Sequence, residues 1–212
     1  MEIRTFVVNP IQVNCYLVWD ETGEALLIDC GAWFPEERDR IFRFVQSNGL
    51  TIKHYLNTHL HFDHIFGNAF VEEKFGVKAE ASDADWDWAA GIKERVARFG
   101  ITYEEEVPPL GRVLKDGDEI LFGNQRIVAI AVPGHSPGSL AYHIPEHKVL
   151  FTGDALFRQS IGRTDFPDSN HRQLLTAIRE KLFTLPEETV VYPGHEKKTT
   201  IGFEKAHNMF LK

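Results

Sequence analysis

The sequence of 212 residues is short of cysteine, of long apolar runs and of positive charge, and each shortage removes a class of function. Cys15 and Cys30 are its 2 cysteines, too few for the disulfide framework that staples small secreted domains. They read as reduced thiols of a cytoplasmic protein. The longest apolar run, Ile127–Val132, falls far below the roughly 20 residues of a membrane-spanning helix. Met1-Glu2-Ile3-Arg4-Thr5 lacks the basic-then-apolar order of a secretory signal, so no membrane contact is expected. Lys and Arg number 23 against 31 Asp and Glu, a net charge of −8. Affinity for DNA or RNA built on phosphate neutralisation needs the opposite balance, and a nuclease reading falls with it. Low-complexity tracts, internal repeats and Gly/Ser- or Pro-rich linkers are also missing, and no Gly-x-Ser-x-Gly elbow signals a serine nucleophile.

What remains is a chain 43% hydrophobic and 25% charged, enough to bury a core at a length that fits one compact domain. Strand-length apolar runs recur at Thr5–Val8, Tyr16–Trp19, Ala25–Ile28, Tyr55–Leu56, Ile120–Phe122, Ile127–Val132, Leu140–Ile144, Val149–Phe151 and Val190–Tyr192. Helical spacing predicts helices over Pro35–Gln46, His64–Phe75, Ala84–Phe99, His171–Phe183 and Thr199–Met209. Strands in clusters followed by helices read as α/β with at least one large mixed sheet. The stretch Lys115–Thr152 reads as consecutive antiparallel strands.

Histidine is abundant, with 10 residues, and its placement carries the chemistry. Thr58-His59-Leu60-His61-Phe62-Asp63-His64 packs three histidines and an aspartate into six positions. At this composition such a run arises by chance in about one chain in a thousand. Ile52–Asn57 reads as a strand leading into it, and residues two apart on extended chain share a side, so His59 and His61 can converge on one cation. Asp63 and His64, where the helical pattern begins, can face a second point nearby. Three more candidates stand at the ends of apolar strands beside glycine: His135 in Pro133-Gly134-His135, Asp154 in Thr152-Gly153-Asp154 and His195 in Pro193-Gly194-His195. Glycine there permits tight turns that hold side chains on a rigid frame. Imidazole and carboxylate are ligands for zinc, iron or manganese.

His59-x-His61-x-Asp63-His64, His135, Asp154 and His195, in this order and spacing, resemble the metal motifs of the metallo-β-lactamase-fold hydrolases. Asp29, in Ile28-Asp29-Cys30-Gly31, resembles their first motif, which bonds a ligand histidine or nearby backbone. The segment Gly153–Phe166 and the stretch from Pro193 to Asn208 resemble short single-domain members of the glyoxalase II, or hydroxyacylglutathione hydrolase-like, branch. The resemblance implies an αββα sandwich, two mixed β-sheets flanked by helices, spanning residues 1–212 as a single domain with no C-terminal glutathione-binding helical domain. It implies two divalent metal ions, zinc first, with iron or manganese as substitutes. His59, His61 and His135 would hold one, Asp63, His64 and His195 the other, and Asp154 would bridge them, making Asp63 and Asp154 the catalytic carboxylates. A metal-bridging hydroxide would then attack a small-molecule thioester of the S-acylglutathione type. Cysteine at the Asp154 position would mark a β-lactamase, and glutamate at His61 a flavodiiron protein.

The glutathione-binding segment of that branch is represented here by Gly162-Arg163-Thr164-Asp165, which keeps a cation and loses two aromatic rings. Arg163 is the candidate carboxylate clamp, and Asp165 contacts either substrate or loop backbone. The alternative within the superfamily is a persulfide dioxygenase with one iron on His59, His135 and Asp154. A metal-stabilised binding protein fits less well, because structural zinc takes four closed ligands, often cysteine. His54, His143, His147, His171 and His207 read as ordinary surface or half-buried residues, Trp86 and Trp88 as one packed and one partly exposed ring, and Lys93–Arg98 as a solvated helix face. No protein partner is signalled.

Overall fold

The computed structural model describes residues 1–212. From the N-terminus its elements are β1 (Glu2–Val8), β2 (Val13–Trp19), β3 (Glu24–Ile28), α1 (Pro35–Ser47), β4 (Thr51–Leu56), α2 (Phe62–Ile65), α3 (Asn68–Phe75), β5 (Ala79–Ala81), α4 (Trp86–Ala90), α5 (Ile92–Ala97) and β6 (Arg112–Val113). The second half comprises β7 (Glu119–Phe122), β8 (Gln125–Ala131), β9 (Leu140–Ile144), β10 (Val149–Gly153), the short pair β11 (Leu156–Phe157) and β12 (Ser160–Ile161), α6 (His171–Ala177), β13 (Val190–Pro193), β14 (Thr199–Thr200) and α7 (Ile201–His207). One sheet runs β1-β2-β3-β4-β5-β6, antiparallel over its first three strands and parallel beyond. The other runs β14-β13-β10-β9-β8-β7, antiparallel except for the β10–β13 pair. Both sheets are mixed, as the αββα expectation requires.

Strand alternation writes the layers into the sequence. Successive side chains point to opposite faces, so Cys15, Leu17, Ala25 and Leu27 pack outward against Ile41 and Val45 of α1 and Phe70 and Val71 of α3. Their neighbours Tyr16, Val18, Leu26 and Ile28 face inward onto Ile120, Ile127, Tyr142 and Phe151 of the second sheet. On that sheet's far side, Ala141, Leu150 and Val191 meet Leu174, Ile178 and Ile201. Buried on both faces, the central strands read as continuous apolar runs. A fourth cluster, with Leu60, Phe66, Ile92 and Val96, closes one end beneath α2, α4 and α5. No helix is long and apolar enough to cross a membrane.

Three predicted helices are broken in the structure. His64–Phe75 divides into α2 and α3 at Gly67, whose N–H donates to Cys30 O at 2.9 Å. A Cβ there would lie 2.4 Å from that oxygen, so only glycine admits this approach. Ala84–Phe99 becomes a 3₁₀ turn, α4 and α5, divided at Gly91, and Thr199–Met209 opens as an edge strand before α7 begins. The short strands β5, β6, β11 and β12, two or three residues each, had no readable pattern. Pro35 does open α1, where Glu37 accepts from the N–H groups of Trp33 (2.9 Å) and Phe34 (3.1 Å).

Candidate metal centre

The chain leaves β4, β8, β10 and β13 at the same edge of the sandwich, and each exit carries candidate ligands. His59 and His61 follow β4, and Asp63 and His64 lie in α2. His135 follows β8, Asp154 follows β10 and His195 follows β13. All seven side chains converge. His59, His61 and His135 offer ligand atoms within 4.8 Å of one another, as do Asp63, His64 and His195. A third such group, His59, His64 and Asp154, joins the two triads. Asp154 Oδ1 is 3.3 Å from His64 Nε2, while its Oδ2 is 3.4 Å from His195 Nε2 and 3.8 Å from His135 Nε2.

Hydrogen bonds on the outer ring nitrogens orient the imidazoles. His64 Nδ1–H donates to Asp29 Oδ2 (3.0 Å), His135 Nδ1–H to Arg163 O (2.9 Å) and His195 Nδ1–H to Ile11 O (3.2 Å). The Thr58 hydroxyl is committed to Asp29 Oδ2 (2.6 Å), so its oxygen accepts from His59 Nδ1 (3.1 Å). Four rings therefore present Nε2 inward, an arrangement characteristic of metal ligands. His61 turns its Nδ1 to within 2.9 Å of His135 Nε2. Asp29 bonds both the candidate ligand His64 and the Thr58 N–H (2.7 Å) from a left-handed backbone, φ 52°.

The electrostatics are those of a site built for cations. His59 Nε2, His61 Nε2, His64 Nε2 and Asp154 Oδ1 are buried without a hydrogen-bond partner, a costly state unless an ion engages them. Burial, helped by neighbouring imidazoles, holds His59 well below the usual histidine pKa and lowers His61 to about 3. Burial would lower His64 too, but the carboxylates of Asp154, Asp29 and Asp63 outweigh it and raise that ring well above the usual histidine pKa. Bonds to Asp154 and Asp63 likewise overcome burial at His195 and raise it to about 10. The same pairing overrides burial at Asp154 and Asp63 and keeps both ionised. Five imidazoles, two carboxylates and four orphaned donor atoms fit divalent first-row cations. This chain's fold and donor set imply divalent metal ions.

Sequence reasoning missed several residues that brace this arrangement. Asp85, buried and pushed above the ordinary carboxylate pKa by that burial, accepts from Gly138 N (2.7 Å), Ser136 Oγ (2.6 Å) and, more weakly, Leu60 N (3.4 Å). It ties the His135 loop to the segment between His59 and His61. Asn14 and Tyr16 reach across from β2 to Pro193 O at 3.0 and 2.6 Å, fixing the turn before His195. Gly194 packs so closely that a Cβ would lie 2.2 Å from Asp154 Oδ1.

A cavity of about 640 Å³ opens over Asp63, His135, Asp154 and His195, walled by Ile11, Phe62, Phe99, Ile101, Phe157 and Phe166. Arg163 reaches its rim, but Asp165 engages the guanidinium through two bonds of 2.7 Å, which gives Asp165 a protein partner of its own. Trp88 is half-buried, its ring 4.4 Å from that of His61 and its Nε1–H donating to Asp168. Within Lys93–Arg98, Arg95 lies over the Trp88 ring at 3.8 Å instead of standing in solvent. His147, His171 and His207 are exposed, His54 is half-buried against Glu80, and His143 is buried on β9, all outside the cluster.

Comparison with known proteins places this geometry in context. The family model described as the metallo-beta-lactamase superfamily matches residues 8–195. Hydroxyacylglutathione hydrolase GloC of Haemophilus influenzae is 34% identical over 212 residues, covering 100% of this chain and 98% of that protein. The crystal structure of BLEG-1 B3 metallo-beta-lactamase superposes with a TM-score of 0.90 at 33% identity, covering 100% of both chains. That of TTHA1623 in a di-iron-bound form does so at 0.87 and 35% identity, covering 98% of this chain and 100% of that one.

Proposed function

This chain belongs to the metallo-beta-lactamase superfamily, and from that premise we propose that this metallo-hydrolase cleaves thioesters of the S-acylglutathione type. The observation that carries the reading is the pair of triads joined through Asp154, with inward ring nitrogens left unpartnered at the floor of a ligand-sized cavity. His59, His61 and His135 would hold one divalent ion, Asp63, His64 and His195 a second, with Asp154 shared. Bound there, such a pair supplies Lewis acidity, lowering the pKa of a water and polarising an acyl carbonyl.

The residues of this chain supply the rest. Asp29, Arg163 O, Ile11 O and Thr58 hold the rings against rotation, so little reorganisation is needed when substrate arrives. Asp63 lines the cavity as an ionised carboxylate able to accept a hydrogen bond from the attacking water and orient it. Phe62, Phe157 and Phe166 exclude bulk water around it. A covalent nucleophile is not provided, since Ser160, the one hydroxyl among the lining side chains, bonds only Ile161 O at 3.4 Å. GloC, similar along the whole chain, is named a hydroxyacylglutathione hydrolase, and that name supports the choice of substrate.

Elemental analysis and turnover on one purified preparation test the reading. The expected result is about two metals per chain and hydrolysis of S-lactoylglutathione that chelation abolishes. Two other outcomes would overturn it. One is a single iron with oxygen uptake on glutathione persulfide. The other is hydrolysis of a chromogenic cephalosporin alone, an arm warranted because a neighbour named as a β-lactamase matches so closely despite the aspartate at position 154.

A further inference from the structure

The thioester reading leaves the anionic end of the substrate without a protein partner. Glutathione carries two carboxylates, yet Arg163, the one Lys or Arg among the cavity-lining side chains, is already matched by Asp165. Outside that lining, Arg38 is held by Glu105 and Lys93 by Glu106. Arg95 differs. No carboxylate lies within salt-bridge distance of it, and its guanidinium rests 3.8 Å from the centre of the Trp88 ring. That ring is fixed from two sides, by the Nε1–H bond to Asp168 and by the His61 ring at 4.4 Å. It also lies 5.7 Å from Phe166, which lines the cavity. Arg95 precedes Phe99 by four residues, and the last turn continues past α5 through Phe99 N donating to Val96 O, so the two project from one face. Phe99 on that face lines the cavity.

We propose that Arg95, stacked on Trp88, receives a carboxylate of the glutathionyl portion, and that Arg163 does not. The inference rests on the thioester reading above. A guanidinium offers five N–H donors in a planar fork suited to bidentate capture of a carboxylate. Stacking on a fixed indole orients that fork beforehand, so less freedom is lost on binding. Arg163 would have to surrender two bonds to Asp165 before serving the same purpose.

Two substrates separate the possibilities with the zinc-loaded protein: S-lactoylglutathione and the carboxylate-free lactoyl thioester of N-acetylcysteamine. Arg95→Ala is expected to raise KM for the glutathione thioester by about tenfold or more, with kcat within about twofold. KM for the neutral thioester stays unchanged, and Arg95→Lys restores part of the loss. A KM rise shared by both substrates, or a selective rise produced by Arg163→Ala instead, overturns the proposal while leaving the thioester reading intact. If the unmutated protein hydrolyses neither, that reading fails, and tryptophan fluorescence titrated with glutathione then decides on Arg95. A saturable change lost in Arg95→Ala and kept in Arg163→Ala supports the anion site. No change, or one indifferent to Arg95, refutes it.

Discussion

Replacing Asp85 by alanine tests whether a residue outside the ligand set holds the site together. The substitution removes the acceptor of Gly138 N (2.7 Å) and Ser136 Oγ (2.6 Å). Ser136 keeps Ser139 Oγ at 2.8 Å, so its loss is about 1 kcal/mol. Gly138 N is left as a buried orphan at about 1–3 kcal/mol. The desolvation that raises the Asp85 pKa already offsets part of this, which puts the net destabilisation at roughly 2–3 kcal/mol. For a chain of this size that lowers Tm by about 4–12 °C. An asparagine side chain at this position would retain one acceptor and place its amide against Ser136 Oγ, so Asp85→Asn should lose about 1 kcal/mol. Urea unfolding of the metal-free variants measures these differences directly. Because Asp85 braces both strand exits of the first triad, zinc affinity should also fall by about 10- to 100-fold, read by competition with a chelating dye. An Asp85→Ala protein within about 0.5 kcal/mol of the parent, or with unaltered zinc affinity, would refute the reasoning.

Three further outcomes are expected. Gly194→Ala drives a Cβ into Asp154 Oδ1 and the His64 ring; turnover should drop by about 100-fold or more with loss of bound metal, measured by steady-state assay and elemental analysis. Asp20, despite burial, is lowered to a pKa of about 2 by bonds from Thr22, Asn124 and Gln125. A folded-state pKa below the unfolded one stabilises above the unfolded value and fades as pH falls through the folded one, so up to about 2 kcal/mol should disappear between roughly pH 4 and pH 2. Urea unfolding of Asp20→Asn should show that acid-side slope flattened. Prolonged chelation should abolish turnover and lower Tm, and added Zn, Mn or Fe(II) should restore both, with stability following metal concentration by mass action. A chelated protein of unchanged Tm would contradict the burial of unpartnered donors.

The parts of the site legible in the sequence are those whose signal is local. His59 and His61 share a side because extended chain alternates, and His135, Asp154 and His195 each stand beside a glycine where an apolar strand ends. The layers were legible for the same reason, since Tyr16 and Leu17 face different cores through alternation alone. What stayed hidden depends on contacts between distant segments. Asp85 finds Ser136 and Gly138 more than 50 positions away, and no spacing rule announces that encounter. Gly67 and Gly91 interrupt regular helical patterns because of the backbone they approach or the turn they permit, so periodicity joined what packing divides. Arg95 reads as solvated in a charged stretch; only the position of Trp88 reveals otherwise.

The two triads draw on both sheets: His59, His61, Asp63 and His64 leave the first, whereas His135, Asp154 and His195 leave the second. An ion held by either triad is therefore a cross-link between the two halves of the polypeptide, closing a loop of more than 70 residues between His61 and His135. Such a clasp removes more entropy from the separated halves than from the joined ones. Metal uptake thus doubles as a gauge of assembly, because an incompletely docked sandwich can offer no more than part of either ligand set. A chain cut between β6 and β7 would regain tight metal binding only when both pieces come together.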